Sequence, residues 1–168
     1  MSNVLGIIAE YNPFHNGHLH HLIESKKITN SDYTIAIMSG NFTQRGEVSI
    51  VDKWEKTRMA ISNGVDLVIE LPTLYAISSA ENFASGAIKI LNSLGIVDFL
   101  SFGSESNDIS LLDDIANVLA FEPAQYKTLL SHELARGESF PKARENAMMM
   151  YLNDVRRFAN VLSSPNNI

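Results

Sequence analysis

The chain contains no cysteine, which excludes disulfide staples, thiolate nucleophiles and Cys-ligated zinc and is compatible with a reducing cytoplasm. Positive charge is also scarce. Thirteen Lys and Arg face nineteen Asp and Glu, a net charge of −6, so non-specific attraction to a polyanion is opposed unless basic residues gather on one face. No apolar run approaches the roughly 20 residues needed to span a bilayer, and no basic stretch followed by a long apolar one opens the chain, so no membrane partner is expected. The three-glycine dinucleotide fingerprint is missing, which counts against an NAD site. Internal repeats and low-complexity segments are absent as well.

What remains is the composition of an ordinary globule: 168 residues, 45% hydrophobic and 19% charged, near the size of one domain. Short apolar runs rich in β-branched residues predict strands over 4–9, 33–38, 66–72 and 97–102, each stopped by turn chemistry such as Asn12-Pro13, Ser39-Gly40-Asn41 or Gly103. Between them lie helical patterns. Leu19, Leu22 and Ile23 share a face over 18–27. A second helix is expected over 51–63, with Ser49 and Asp52 spaced like a capping box and Gly64 suited to its end; a third runs from about 79 to 94, where Gly95 can terminate it. Beyond residue 109 the pattern turns all-helical, at 109–119, 124–135 and 141–152, with Met148-Met149-Met150 and residues 158–162 reading as packing surface. Arg156-Arg157 reads as a solvated helix end. The last residues are turn chemistry closing on apolar Ile168, which predicts a chain that continues.

Alternating buried strands and helices imply an α/β fold with a parallel sheet, helices on both faces and ligands outside the carboxyl ends of the strands. Four loops then meet at one edge. The first holds His15-Asn16-Gly17-His18, where a helix N-terminus offers unpaired N–H groups and positive dipole to an anion. Gly17 admits close backbone approach, the imidazoles can donate to phosphoryl oxygens or carry charge, and Asn16 is a plausible N-cap. Two other readings stay open: a capped turn with incidental histidines, and a metal cluster of His15, His18 and His21.

The second loop gathers Ser39, Gly40, Asn41, Gln44 and Arg45, a polar set able to hold a substrate or, equally, a solvated connection. Lys53 reads as solvated, although a phosphate or carboxylate is within its possible reach. Glu70 is expected to pair with Arg58. Gly103 after the fourth strand either lets a flat ring or ribose lie against backbone or simply makes a tight turn.

Three segments, Gly6 to His18, Met38 to Glu47 and Asp66 to Pro72, closely resemble the bacterial tRNA(Met) cytidine acetate ligase family. Phe102-Gly103-Ser104-Glu105 and Ser164-Pro165-Asn166-Asn167-Ile168 keep the same order. The resemblance covers essentially the whole chain and only the N-terminal part of the family. It implies a Rossmann-like nucleotidyltransferase fold with a helical extension from about residue 109. It also implies use of ATP, whose phosphates magnesium ordinarily accompanies, and of acetate to form acetyl-adenylate, followed by acetylation of N4 of the wobble cytidine of elongator tRNA(Met).

By the same resemblance Ile8, Ala9, Glu10, Tyr11, Asn12, Pro13, Phe14, His15, Asn16, Gly17, His18, Leu19, His20 and His21, together with Gly103 and Asn166, would contact nucleotide. His15 and His18 match the His-x-Gly-His motif of the wider superfamily and would be catalytic. A later Ser/Thr-rich motif ending in arginine, and the family's downstream tRNA-binding segments, do not occur in these residues. Ser139-Phe140-Pro141-Lys142-Ala143-Arg144 imitates that motif but precedes Asn166, the wrong order. A small-molecule adenylyltransferase and a nucleotide-binding fragment without activity are the competing readings.

Overall fold

The computed structural model describes residues 2–104 and 108–153. These form two compact units that meet in sequence between Phe102 and Gly103. The first contains β1 (Val4–Ala9), α1 (Asn16–Thr29), β2 (Tyr33–Ser39), α2 (Lys53–Ser62), β3 (Leu67–Leu71), α3 (Thr73–Ala76), α4 (Ala80–Leu94) and β4 (Phe99–Ser101). Its four strands are parallel in the order β3-β2-β1-β4.

Period-two alternation explains why the strands read as continuous apolar runs. Leu5 and Ile7 of β1 and Ala36 and Met38 of β2 pack with Leu22 of α1, Ala60 of α2 and Val65. Val4, Ile35 and Ile37 pack instead with Ala76 of α3 and with Ala87 and Leu91 of α4. Both faces of the sheet are therefore covered, as parallel sheets require. Each fully buried aliphatic side chain contributes about 1.5–3 kcal/mol of transfer free energy. The chain steps outward from β1 to β2 to β3, then returns past them to β4. Right-handed crossovers place helices on opposite faces when direction reverses, and the reversal opens a crevice between the carboxyl ends of β1 and β4.

Several boundaries differ from expectation for local reasons. α2 starts at Lys53 because Asp52 is its N-cap, accepting from the Glu55 N–H at 2.8 Å; Ser49 takes no part in that cap. β4 is shorter than 97–102: ahead of its ladder Asp98 meets Val4 through its carboxylate, which accepts from the Val4 N–H at 2.8 Å, and through its own N–H, which donates to the Val4 carbonyl at 2.9 Å. The single turn of α3 carries no periodicity that sequence could reveal. The end of α4 does follow the reading, with Gly95 left-handed at its C-cap.

The second unit contains α5 (Ile109–Phe121), α6 (Ala124–Ala135) and α7 (Phe140–Leu152). Leu111, Ile115, Val118, Tyr126, Ala147 and Met148 form its core. Of the expected packing surface, Met148 is buried and Met149 packs against the core, whereas Met150 is 48% exposed. Glu133 is buried in this unit and accepts from Asn146 Nδ2 at 2.8 Å and Arg136 Nη1 at 3.1 Å. Among the described residues no helix is long and apolar enough to cross a membrane. Asn166, Arg156-Arg157 and residues 158–162 lie outside the described residues.

Candidate functional site

β1 delivers Ile8 and Ala9 to the carboxyl edge of the sheet, where Glu10, Tyr11, Asn12, Pro13 and Phe14 form the connection to α1. Tyr11 is 2% exposed with φ 48°. Its ring meets Phe14 and His18 edge-on, with centroids 4.9 Å away in each case. Burial pushes the phenol pKa up to about 12, so Tyr11 supports the loop as a neutral aromatic.

The N-cap of α1 is His15 rather than Asn16. Its Nδ1 accepts from the Gly17 N–H at 3.0 Å, while the His15 N–H donates back to His18 Nδ1 at 3.2 Å. The two rings stack with centroids 3.7 Å apart. This reciprocal cap satisfies backbone donors that a helix start leaves open. It also requires Gly17, because a Cβ there would sit 2.9 Å from His15 Cε1.

A chemical consequence follows from which nitrogens are used. Each Nδ1 accepts a backbone proton, so in the neutral ring the remaining proton sits on Nε2. Both histidines thus carry a donor that the cap leaves free, beside the positive end of α1. The His18 pKa is lowered to about 4, first by burial and then by the neighbouring His15 and His21. Near neutral pH it is therefore an uncharged donor, a refinement of the sequence reading that allowed positive charge. An arriving polyphosphate would raise that pKa again.

His21 turns elsewhere. Its Nε2 lies 3.1 Å from Ser101 Oγ at the end of β4, and Ser101 Oγ is 2.7 Å from Ser25 Oγ, which ties α1 to the strand across the crevice. Among the described residues no three side chains are placed to hold a metal ion, and the grouping of His15, His18 and His21 does not form. Leu19 and His20 continue the first turns of α1, with His20 exposed. Gly103 follows β4 by two residues and has open space where a Cβ would stand.

The loop after β2 is an ordered hairpin rather than a slack connection. Phe42 and Val48 form an antiparallel bridge, and Gly46 takes φ 78° at the turn. Two backbone amides fasten it to the first loop: the Gln44 N–H donates to Glu10 Oε1 and the Ile50 N–H to Asn12 Oδ1 at 2.8 Å. Asn41 Oδ1 accepts from the Lys53 N–H at 2.9 Å, joining the hairpin to α2. Arg45 is exposed on the hairpin, and Ser39 is buried beneath it.

Two expectations about charge are corrected. Glu70 pairs with Lys53 at 2.7 Å, whereas Arg58 pairs with Glu55 one turn away on its own helix. Gly40 makes the Glu70 arrangement possible, since a Cβ at that position would lie 2.2 Å from Glu70 Oε1. Lys53 is therefore an ion-pair partner at the carboxyl edge, not a solvated side chain. Lys56, which sequence reading passed over, is 0% exposed, and its Nζ donates to the Glu10 carbonyl at 3.0 Å and to Ser49 Oγ at 3.2 Å. Its only signal is that it shares a helical face with Ala60, four residues on.

The HIGH Nucleotidyl Transferase family model matches residues 2–168. The chain is 56% identical over 165 residues to the tRNA(Met) cytidine acetate ligase of Acetivibrio thermocellus, covering 98% of this chain and 40% of that protein. It is equally identical, 56% over 165 residues, to the one from Thermoanaerobacter sp., covering 98% and 41%. Among solved structures, Thermotoga maritima TmcAL bound with alpha-thio ATP matches with a TM-score of 0.93 and 44% identity, over 98% of this chain and 41% of that one. The chain spans about two-fifths of the length of these relatives. With a family match running over residues 2–168, which include His15-Asn16-Gly17-His18, the chain belongs to the HIGH nucleotidyl transferase family.

Proposed function

We propose that this chain is the ATP-binding, adenylate-forming part of a cytoplasmic tRNA(Met) cytidine acetate ligase. The observation that carries this reading is the reciprocal His15/His18 cap, which leaves two Nε2–H donors free at a helix N-terminus. A triphosphate suits that chemistry, because neutral donors and a helix dipole stabilise phosphoryl charge without having to be desolvated as ions. The relative solved with alpha-thio ATP supports the assignment of nucleotide.

Acetate attacks the α-phosphorus in line, the bond to the β-phosphate oxygen breaks, and acetyl-adenylate and pyrophosphate result. His15 and His18 stabilise the phosphoryl oxygens as charge shifts onto pyrophosphate. By the family resemblance Gly103 and Asn166 would also contact nucleotide, and Ser39, Gly40, Asn41, Gln44 and Arg45 would border the acceptor side. Magnesium would be held chiefly by the phosphates and would supply charge neutralisation there. The N4 amine of the wobble cytidine of elongator tRNA(Met) then attacks the acetyl carbonyl and AMP leaves. An exposed anticodon base suits this step. With a net charge of −6, these residues make a poor polyanion surface, so most of the tRNA contact belongs to regions of the relatives that this chain does not span.

Acetate-dependent exchange of labelled pyrophosphate into ATP tests the first step on the chain itself. Exchange that requires acetate is the expected result. ATP binding without acetate-stimulated exchange overturns self-contained activation, and stimulation by a phosphorylated cofactor precursor instead identifies a small-molecule adenylyltransferase.

A further inference from the structure

The β1–β2 ladder ends at Ala9 opposite Met38. The next positions in that register are Glu10 and Ser39, which begin the nucleotide loop and close β2. Instead of a ladder bond, the Lys56 ammonium joins them: Nζ donates to the Glu10 carbonyl at 3.0 Å and to Ser39 Oγ at 3.5 Å. Its third partner is Ser49 Oγ at 3.2 Å, where the hairpin closes, and Ser49 Oγ donates onward to the Gly40 carbonyl at 3.3 Å. An ammonium has three protons, and here they go to three separate segments.

The cost of this arrangement makes it informative. Lys56 is fully buried, and no ion pair forms on it among the described residues. Glu10 turns its carboxylate to the Gln44 N–H, and Glu70 gives its own to Lys53. Burial lowers the ammonium pKa, and the charges of Glu10 and Glu70 act in the opposite direction. A buried cation among neutral oxygens is a poor way to gain stability when an apolar side chain would fill the same space. It is, however, an effective way to hold two loops at a fixed spacing where the sheet no longer does so.

We infer that Lys56 is a positioning residue for adenylate formation, setting the hairpin at 41–49 against the nucleotide loop through the Glu10 carbonyl, Ser39 and Ser49. The inference rests on the reaction proposed above for its catalytic consequence. Its structural content stands apart from that reaction, so two readouts are needed.

The test is Lys56→Met, which keeps an unbranched side chain one heavy atom shorter and removes all three bonds. Hydrogen exchange followed by NMR is expected to show faster exchange at the Gln44 and Ile50 amides, with Ile35 and Ile37 in β2 unchanged. In pyrophosphate exchange, kcat is expected to fall about tenfold or more while the KM for ATP moves less than about threefold, because misplacement penalises the transition state more than binding. Ser49→Ala is expected to give a smaller loss of the same kind and to add nothing in the Lys56→Met background. Unchanged amide protection at Gln44 and Ile50 overturns the inference, as does loss at these amides and at the β2 amides in equal measure. If the parent chain shows no acetate-dependent exchange, the proposed reaction fails while the amide readout still decides whether Lys56 sets the loops. An active parent whose Lys56→Met variant keeps its kcat also sinks the positioning role.

Discussion

Among the described residues the most deeply buried charge of each unit is Lys56 in the α/β unit and Glu133 in the helical one, where Glu145 is buried as well, and the two are held differently. In the helical unit Glu133 is 1% exposed and is met by Arg136, by the Asn146 amide and by His132 at 3.5 Å. In the α/β unit Lys56 is 0% exposed and, among the described residues, its ammonium donates to a carbonyl and two hydroxyls. Glu133 has a cationic partner, so its burial serves the packing of α6 and α7. Lys56 has none within ion-pair distance among the described residues, and it sits where the first loop and the hairpin leave the sheet. The contrast separates a charge kept for the fold from one kept for placement.

The sharpest way to extend that contrast is at His18, whose two nitrogens have separate duties. His18→Asn places an oxygen near the Nδ1 position and removes the outward donor, whereas His18→Ala removes both. Both variants are expected to lower acetate-dependent pyrophosphate exchange about a hundredfold or more, the scale of a lost transition-state donor. Thermal melting should then tell them apart, with Ala losing about 0.5–2 kcal/mol as a broken N-cap and Asn retaining most of it. Equal losses of activity and stability in both variants would assign His18 to the fold alone.

A smaller effect is expected from Glu133→Gln, which tests the other half of the comparison. The Glu133 pKa is depressed, chiefly by the Asn146 hydrogen bond and then by Arg136, against the opposing effect of burial. A carboxylate with a depressed folded pKa contributes stability above its unfolded pKa and loses it as pH falls through the folded value. Glu133→Gln is therefore expected to lower the melting temperature at neutral pH, with the gap narrowing as pH falls below the ordinary carboxylate range. A gap that persists unchanged in acid would mean that charge is not what Glu133 contributes.

The smallest expected signal is spectroscopic. With its pKa lowered to about 4, the His18 ring should not titrate between pH 5 and 8 in an NMR experiment and should protonate only near pH 4. The unfolded chain binds that proton at about 6.5, so this group's contribution to stability is present above 6.5 and is lost as pH falls toward 4. A midpoint near 6.5 in the folded chain would remove the case for a neutral donor.

The architecture was legible because parallel strands buried on both faces leave unbroken apolar runs, and because Asn12-Pro13, Ser39-Gly40 and Gly95 punctuate them. The first loop was legible from its place between a strand and a helix. Its cap was not, since His is an unusual N-cap and the Nδ1 bonds depend on ring orientation. Partner choice was harder still. Glu70 and Lys53 are 17 residues apart and meet only because β3 lies beside β2 and Gly40 leaves room for the carboxylate. A lysine destined for the interior looks the same in sequence as one destined for water, so Lys56 could not be recognised before its neighbours were in place.

The joint between the two loops has an evolutionary consequence. At Gln44 and Ile50 the hairpin offers main-chain amides, and the first loop supplies the side chains that accept from them, Glu10 and Asn12. Any residue other than proline brings the same amide. The side chains at 44 and 50 can therefore change without loosening the attachment of the hairpin to the first loop.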